Sequence, residues 1–149
     1  MVTWAEFAAV EPELAQYGWD LLSEASGYAY LATITSDGAP RVHPVVPFVA
    51  EGRLFISVVA SSPKVIDLRK ESRYMLHATV GDNDTEFAVR GAAIEVTDAA
   101  VAGRVGDHQE LNQVELYDDS VLFELQIERV DAAIWEDRSP HRQTWRAAK

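Results

Sequence analysis

The residues best equipped for chemistry are Ser61-Ser62-Pro63-Lys64, where two hydroxyls and an ammonium precede the run VIDLRK. Serine followed by proline starts a helix, since serine caps well and Pro63 suits a first helical position, where a missing N–H costs nothing. A helix start leaves up to four backbone N–H groups unpaired and carries the positive end of the helix dipole. With Lys64 at the second helical position, this segment has the chemistry of a phosphate site. The same four residues also read as ordinary helix capping. What strengthens the anion reading is PRVHPVVP at 40–47. Strand side chains alternate, so Arg41, His43 and Val45 share one face while Val42, Pro44 and Val46 share the other. The polar side of such a strand can face solvent, or it can bring a second cation to the anion held at the helix start.

Other catalytic constellations are missing. His43, His77, His108 and His141 lack the three- or four-residue spacing of helical metal ligands, so no metal site is expected. The chain has no G-x-S-x-G elbow, and it has no cysteine to serve as nucleophile, thiolate ligand or disulfide partner. Asp82, Asp84 and Glu86 lack the glycine and terminal glutamate of an EF-hand loop and read as a solvated acidic loop. Trp4, Trp19 and Trp135 read as packing. Trp145, near the end of the chain, is set apart because a terminal aromatic has little core left to fill.

The elements that must position these residues follow from periodicity. A short turn over Thr3–Ala9, with Thr3 as N-cap and Glu6 three residues on, precedes an amphipathic helix over Glu11–Ser26. Tyr28–Thr35, the turn Ser36-Asp37-Gly38 and Pro40–Ala50 form a hairpin, with Pro44 and Pro47 marking an edge or bulged strand. Arg53–Ala60 is a third strand, and the SSP-capped helix runs to about Lys70. Strands over Tyr74–Val80 and Glu86–Val96, a helix over Asp98–Val114 and a strand over Val121–Val130 follow, with Ala132–Trp135 extending or following that strand and Glu136–His141 linker-like. This order lacks the regular alternation of a parallel α/β sheet and suits a small antiparallel barrel with helices at its edge.

The composition agrees. At 149 residues, 48% of them apolar, the chain is expected to form one domain over 1–149: a helical segment over about 3–26, a barrel over about 28–135 and a tail over 136–149. A net charge of −11 argues against nucleic-acid partners, which require clustered Lys and Arg, though a few local cations can still hold one phosphate. No signal peptide, membrane span or anchor is visible, and a cytoplasmic location is expected.

YLATITSDGAPRVHPV, a hydrophobic strand, SSPK, an apolar–basic helix and a strand ending LHA, taken in order over about residues 28–97, resemble the actinobacterial-type pyridoxamine 5′-phosphate oxidase-related split-barrel flavoproteins. The later strand LFELQIERV and the Trp-Arg ending are similar too. The resemblance implies a mainly β, six-stranded antiparallel split barrel with peripheral helices, forming a homodimer with a cofactor in each of two clefts between subunits. It implies FMN, held by Ser61, Ser62 and Lys64 at its phosphate, with Arg41 as a further cation. It places His43, Pro44, Val45 and Val46 beside the ring system, Ser57 and Val58 on the facing strand, and Trp145 as a cover from the other subunit, with Arg146 near it. No catalytic residue is assigned. The activity implied is an FMN-dependent oxidoreductase acting on a small molecule. Pro63 stands where the vitamin B6 oxidases have the first of a basic pair, and His141-Arg142 does not reproduce their C-terminal motif, which argues against pyridoxamine phosphate as substrate. The alternatives are a deazaflavin-dependent reductase, whose longer acidic tail would call on Arg53, Arg69 and Lys70, a non-enzymatic flavin- or haem-binding module, and a cofactor-free interaction domain.

Overall fold

The structure, a computed structural model, describes residues 1–23, 27–111 and 119–148. Thr3 caps α1 (Trp4–Val10) in a full capping box with Glu6, and α2 (Pro12–Ser23) follows. The expected ends of the two longer helices, at 24–26 and 112–114, lie outside the described residues. Next come β1 (Ala29–Ile34), β2 (Pro40–Val45), β3 (Pro47–Ala50) and β4 (Arg53–Val59), then α3 (Pro63–Lys70) and β5 (Arg73–Ala78). A 3₁₀ turn at Asp82–Asp84 leads to β6 (Glu86–Glu95), α4 (Ala99–Leu111), β7 (Ser120–Glu136) and β8 (Ser139–Arg146). All strand pairs are antiparallel, in the order β2-β1-β5-β6-β7-β4-β3, with β8 paired to β7.

Among the described residues eight strands form one open antiparallel sheet where the sequence predicts a six-stranded barrel. One addition comes from the 40–50 run, which divides at Val46 because β2 pairs with β1 while β3 pairs with β4. Proline lacks the ladder N–H, and Pro44 and Pro47 flank the break. The other is β8, in the segment read as linker and tail. Its two-residue turn, Asp137-Arg138, has φ of 48° and 65°, the left-handed pair a tight hairpin needs, but it carries no glycine to announce it. β7 runs to Glu136 to meet it, so Ala132–Trp135 extends the strand rather than following it.

Val46 alone joins β2 to β3, so the two ends of the strand path belong to one chain segment, and β2 and β4 are left unpaired with each other. The interior is filled by Leu31, Ile56, Leu76, Phe87, Phe123 and Ile127, with Trp4, Phe7 and Leu22 of α1 and α2 packed on it. A smaller cluster, Phe48, Ala50, Phe55 and Val105, lies between β3, β4 and α4. Among the described residues no helix is long and apolar enough to cross a membrane.

Candidate cofactor-binding site

On β2 the usual polarity is inverted. Arg41 and His43 are half-buried and Val45 is buried, while Val42 is 63% exposed and Pro44 is exposed. The register explains this, because Arg41, His43 and Val45 stand opposite the buried Thr33, Leu31 and Ala29 of β1. The polar stripe therefore does not face solvent. Burying a cation and an imidazole costs free energy unless partners meet them, so their placement calls for a chemical reason.

The partner is α3, which leaves the end of β4 and packs across β1. Pro63 is its first residue and Ser62 its N-cap, but Ser62 makes no side-chain cap bond to the helix backbone. Its Oγ instead accepts a hydrogen bond of 3.0 Å from Lys64 Nζ. One turn on, the buried Asp67 accepts a hydrogen bond of 2.8 Å from Thr33 Oγ1 and lies 3.5 Å from Arg41 Nε. Ser36, Arg41, Pro63, Ile66, Asp67 and Lys70 line a shallow depression between α3 and the β1–β2 hairpin.

These charges act on one another. Burial, and then the charges of Lys64 and Arg41, hold the His43 imidazole below its ordinary pKa, while Asp67 acts in the opposite sense. Burial also lowers the Lys64 ammonium. His43 Nε2 is buried without a hydrogen-bond partner among the described residues. Such a nitrogen costs about 1–3 kcal/mol unless something from outside the chain meets it.

Arg41, His43, Ser62 and Lys64 are thus drawn together around the start of α3. Ser61 is exposed in the turn just before it. Val45 and Val58 are buried in the main core, Pro44 lies on the exposed face, and Val46 and Ser57 are half-buried. Trp145 requires a correction: it does find core to fill, on β8 opposite Val130, with its ring 4.9 Å from that of Phe7. Its expected partner, Arg146, is exposed on β8 opposite Arg129. Two site residues were missed, Thr33 and Asp67. The signal was there in β1, where alternation places Thr33 inward with Ala29 and Leu31, and an inward hydroxyl at a strand end needs a partner.

No protein-family model and no curated protein sequence matches the chain. Solved structures do. A pyridoxamine 5′-phosphate oxidase-related, FMN-binding protein from Nostoc punctiforme superposes with a TM-score of 0.70 over 97% of this chain and 92% of its own, at 12% identity. The chain has the pyridoxamine 5′-phosphate oxidase-like fold. A Clostridium acetobutylicum protein related to general stress protein 26, of the pyridoxinephosphate oxidase family, shares the fold at a TM-score of 0.62 and 14% identity, covering 95% of each chain. So does a heme-binding protein from Mycobacterium smegmatis, at 0.60 and 16% over 78% of this chain. This chain spans about half the length of that protein, 52%. Proteins of this fold thus include an FMN-binding and a heme-binding member.

Proposed function

We propose that the protein is an FMN-dependent oxidoreductase that holds the FMN phosphate between Arg41, Lys64 and the start of α3. The observation that carries this reading is the buried, unpartnered His43 Nε2 beside two cations at a helix start whose N-cap serine makes no side-chain cap bond. A phosphate is the group that two cations beside the positive end of a helix recognise, and a polar ring edge beyond it is what an orphaned imidazole nitrogen can meet. Bound FMN would supply the hydride or electron transfer, and the chain's part is to hold, orient and shield it.

The disposition of the remaining cations favours FMN over a deazaflavin coenzyme with a longer acidic tail. Arg53 is paired to Glu124 at 3.0 Å and Arg69 is bidentate on Glu95 at 2.7 and 2.8 Å, which leaves Lys70. Fluorescence titration with FMN, the deazaflavin coenzyme and haem tests the choice. FMN should bind tightest, and preference for either rival overturns the assignment.

The exposed side of β2 supports a homodimer. Val42, Tyr30 and Met75 are 63%, 51% and 39% exposed, and Val42–Ala32–Met75 and Pro44–Tyr30–His77 form two cross-strand rows on one outer face. A continuous apolar patch on an edge strand is a surface that a second subunit would cover. Because β2 carries the cation site on its other face, a partner there would bring the cofactor close to the interface. Val42→Asp should convert a dimer to monomer in sedimentation and weaken FMN binding; a variant that stays dimeric contradicts this placement.

A further inference from the structure

The buried carboxylate of Asp67 is unexpected in a site read as binding an anion. It is 4% exposed, on the inward side of α3 between Val65 and Leu68, and it touches the one cation of the site that comes from β2. Arg41 is 37% exposed at its side chain and its approach to Asp67, at 3.5 Å, is long for a charge-assisted hydrogen bond. The tight contact of Asp67 is the one to Thr33, at 2.8 Å. Thr33 therefore fixes the carboxylate, and the carboxylate in turn fixes Arg41 without saturating it, so the guanidinium keeps donors for a ligand.

The charge balance follows. Arg41 and Lys64 contribute two positive charges, His43 is kept toward its neutral form, and Asp67 cancels one positive charge. We propose that Asp67 is the counter-charge that limits how much negative charge the site accepts, matching it to a single phosphate group, with Thr33 as the residue that holds it in place. This rests on the anion-site reading above and adds to it a specificity-determining residue. Asp67 is not a catalytic residue; it acts through Arg41 and through the field at His43 and Lys64.

The test is Asp67→Asn, which is isosteric and still accepts from Thr33 through its side-chain oxygen. Removing one negative charge within several ångströms of a bound phosphate should tighten FMN about tenfold and leave riboflavin, which has no phosphate, unchanged. Inorganic phosphate, followed through the imidazole resonances of His43, should likewise bind about tenfold tighter, and this second probe does not require that a flavin bind. Thr33→Val keeps the charge but frees the carboxylate, so it should lower the melting temperature and move the FMN-to-riboflavin ratio in the same direction as Asp67→Asn but by less. The proposal is overturned if Asp67→Asn leaves that ratio unchanged or lowers it, or if Thr33→Val moves it as far. Native protein that ignores FMN but binds phosphate contradicts the FMN reading alone, and the phosphate comparison then decides the role of Asp67. Phosphate binding to neither protein overturns both.

Discussion

Gly91→Ala is expected to destabilise the protein by about 3 kcal/mol, enough to lower the melting temperature of a chain this size by roughly 10 °C. At Gly91 a Cβ would sit 1.9 Å from the Gln126 carbonyl oxygen and 3.0 Å from the Glu128 amide nitrogen, both backbone atoms that cannot swing aside. The close approach has a cause in the sheet. The β6–β7 register shifts between Arg90 and Gly91, from Arg90↔Arg129 to Gly91↔Ile127, so Glu128 is the extra residue of a bulge. A bulge bends and twists its strand, and beyond this one β7 pairs with β4 on its other side as well as with β6. Since β4 leads into α3, the damage should reach the site, and the surviving folded protein should bind FMN more weakly. Thermal unfolding followed by circular dichroism measures the first effect. A change of only 1–2 °C would mean that the two strands can part at little cost.

Lys64→Ala is expected to weaken FMN binding by about 1.5–3 kcal/mol, or roughly ten- to a hundredfold, which is the scale for losing a hydrogen bond to a charged group. The fold should barely respond. Lys64 is half-buried at the second position of α3, and its hydrogen-bond partner, Ser62, is a hydroxyl that water can satisfy. Burial lowers its pKa, so part of the cost of desolvating this ammonium is already met before a phosphate arrives. Riboflavin should bind the variant and the native protein alike. If both flavins weaken together, Lys64 supports the pocket rather than the phosphate.

Much of this site was legible in the sequence because it rests on local chemistry. The start of α3 at Pro63 follows from proline's fit to a first helical position, although Ser62 makes no side-chain cap bond, and the shared face of Arg41, His43 and Val45 follows from strand alternation. Which of the two faces of β2 points inward was not legible. Val42 and Pro44 look like the core side, and only the register against Thr33, Leu31 and Ala29 turns them out. Long-range pairing likewise created β8, whose polar SPHRQT carries no strand pattern of its own and gains its order from β7. The packing of Trp145 on Phe7 was not legible for the same reason, since it exists only once β8 is laid down. Asp67 was hidden by distance: its partner Thr33 lies 34 residues away, and no local pattern links a helix acid to an inward strand hydroxyl.

The most direct test of the account is a paired titration of the native protein with FMN and riboflavin at fixed ionic strength, read by quenching of flavin fluorescence. The two ligands share the ring and differ by the phosphate, so their difference isolates what Arg41, Lys64 and the start of α3 contribute. FMN is expected to bind at least tenfold more tightly, with an advantage that shrinks as salt is raised. Equal affinities would contradict a phosphate site at the start of α3, and binding of neither would contradict the FMN reading.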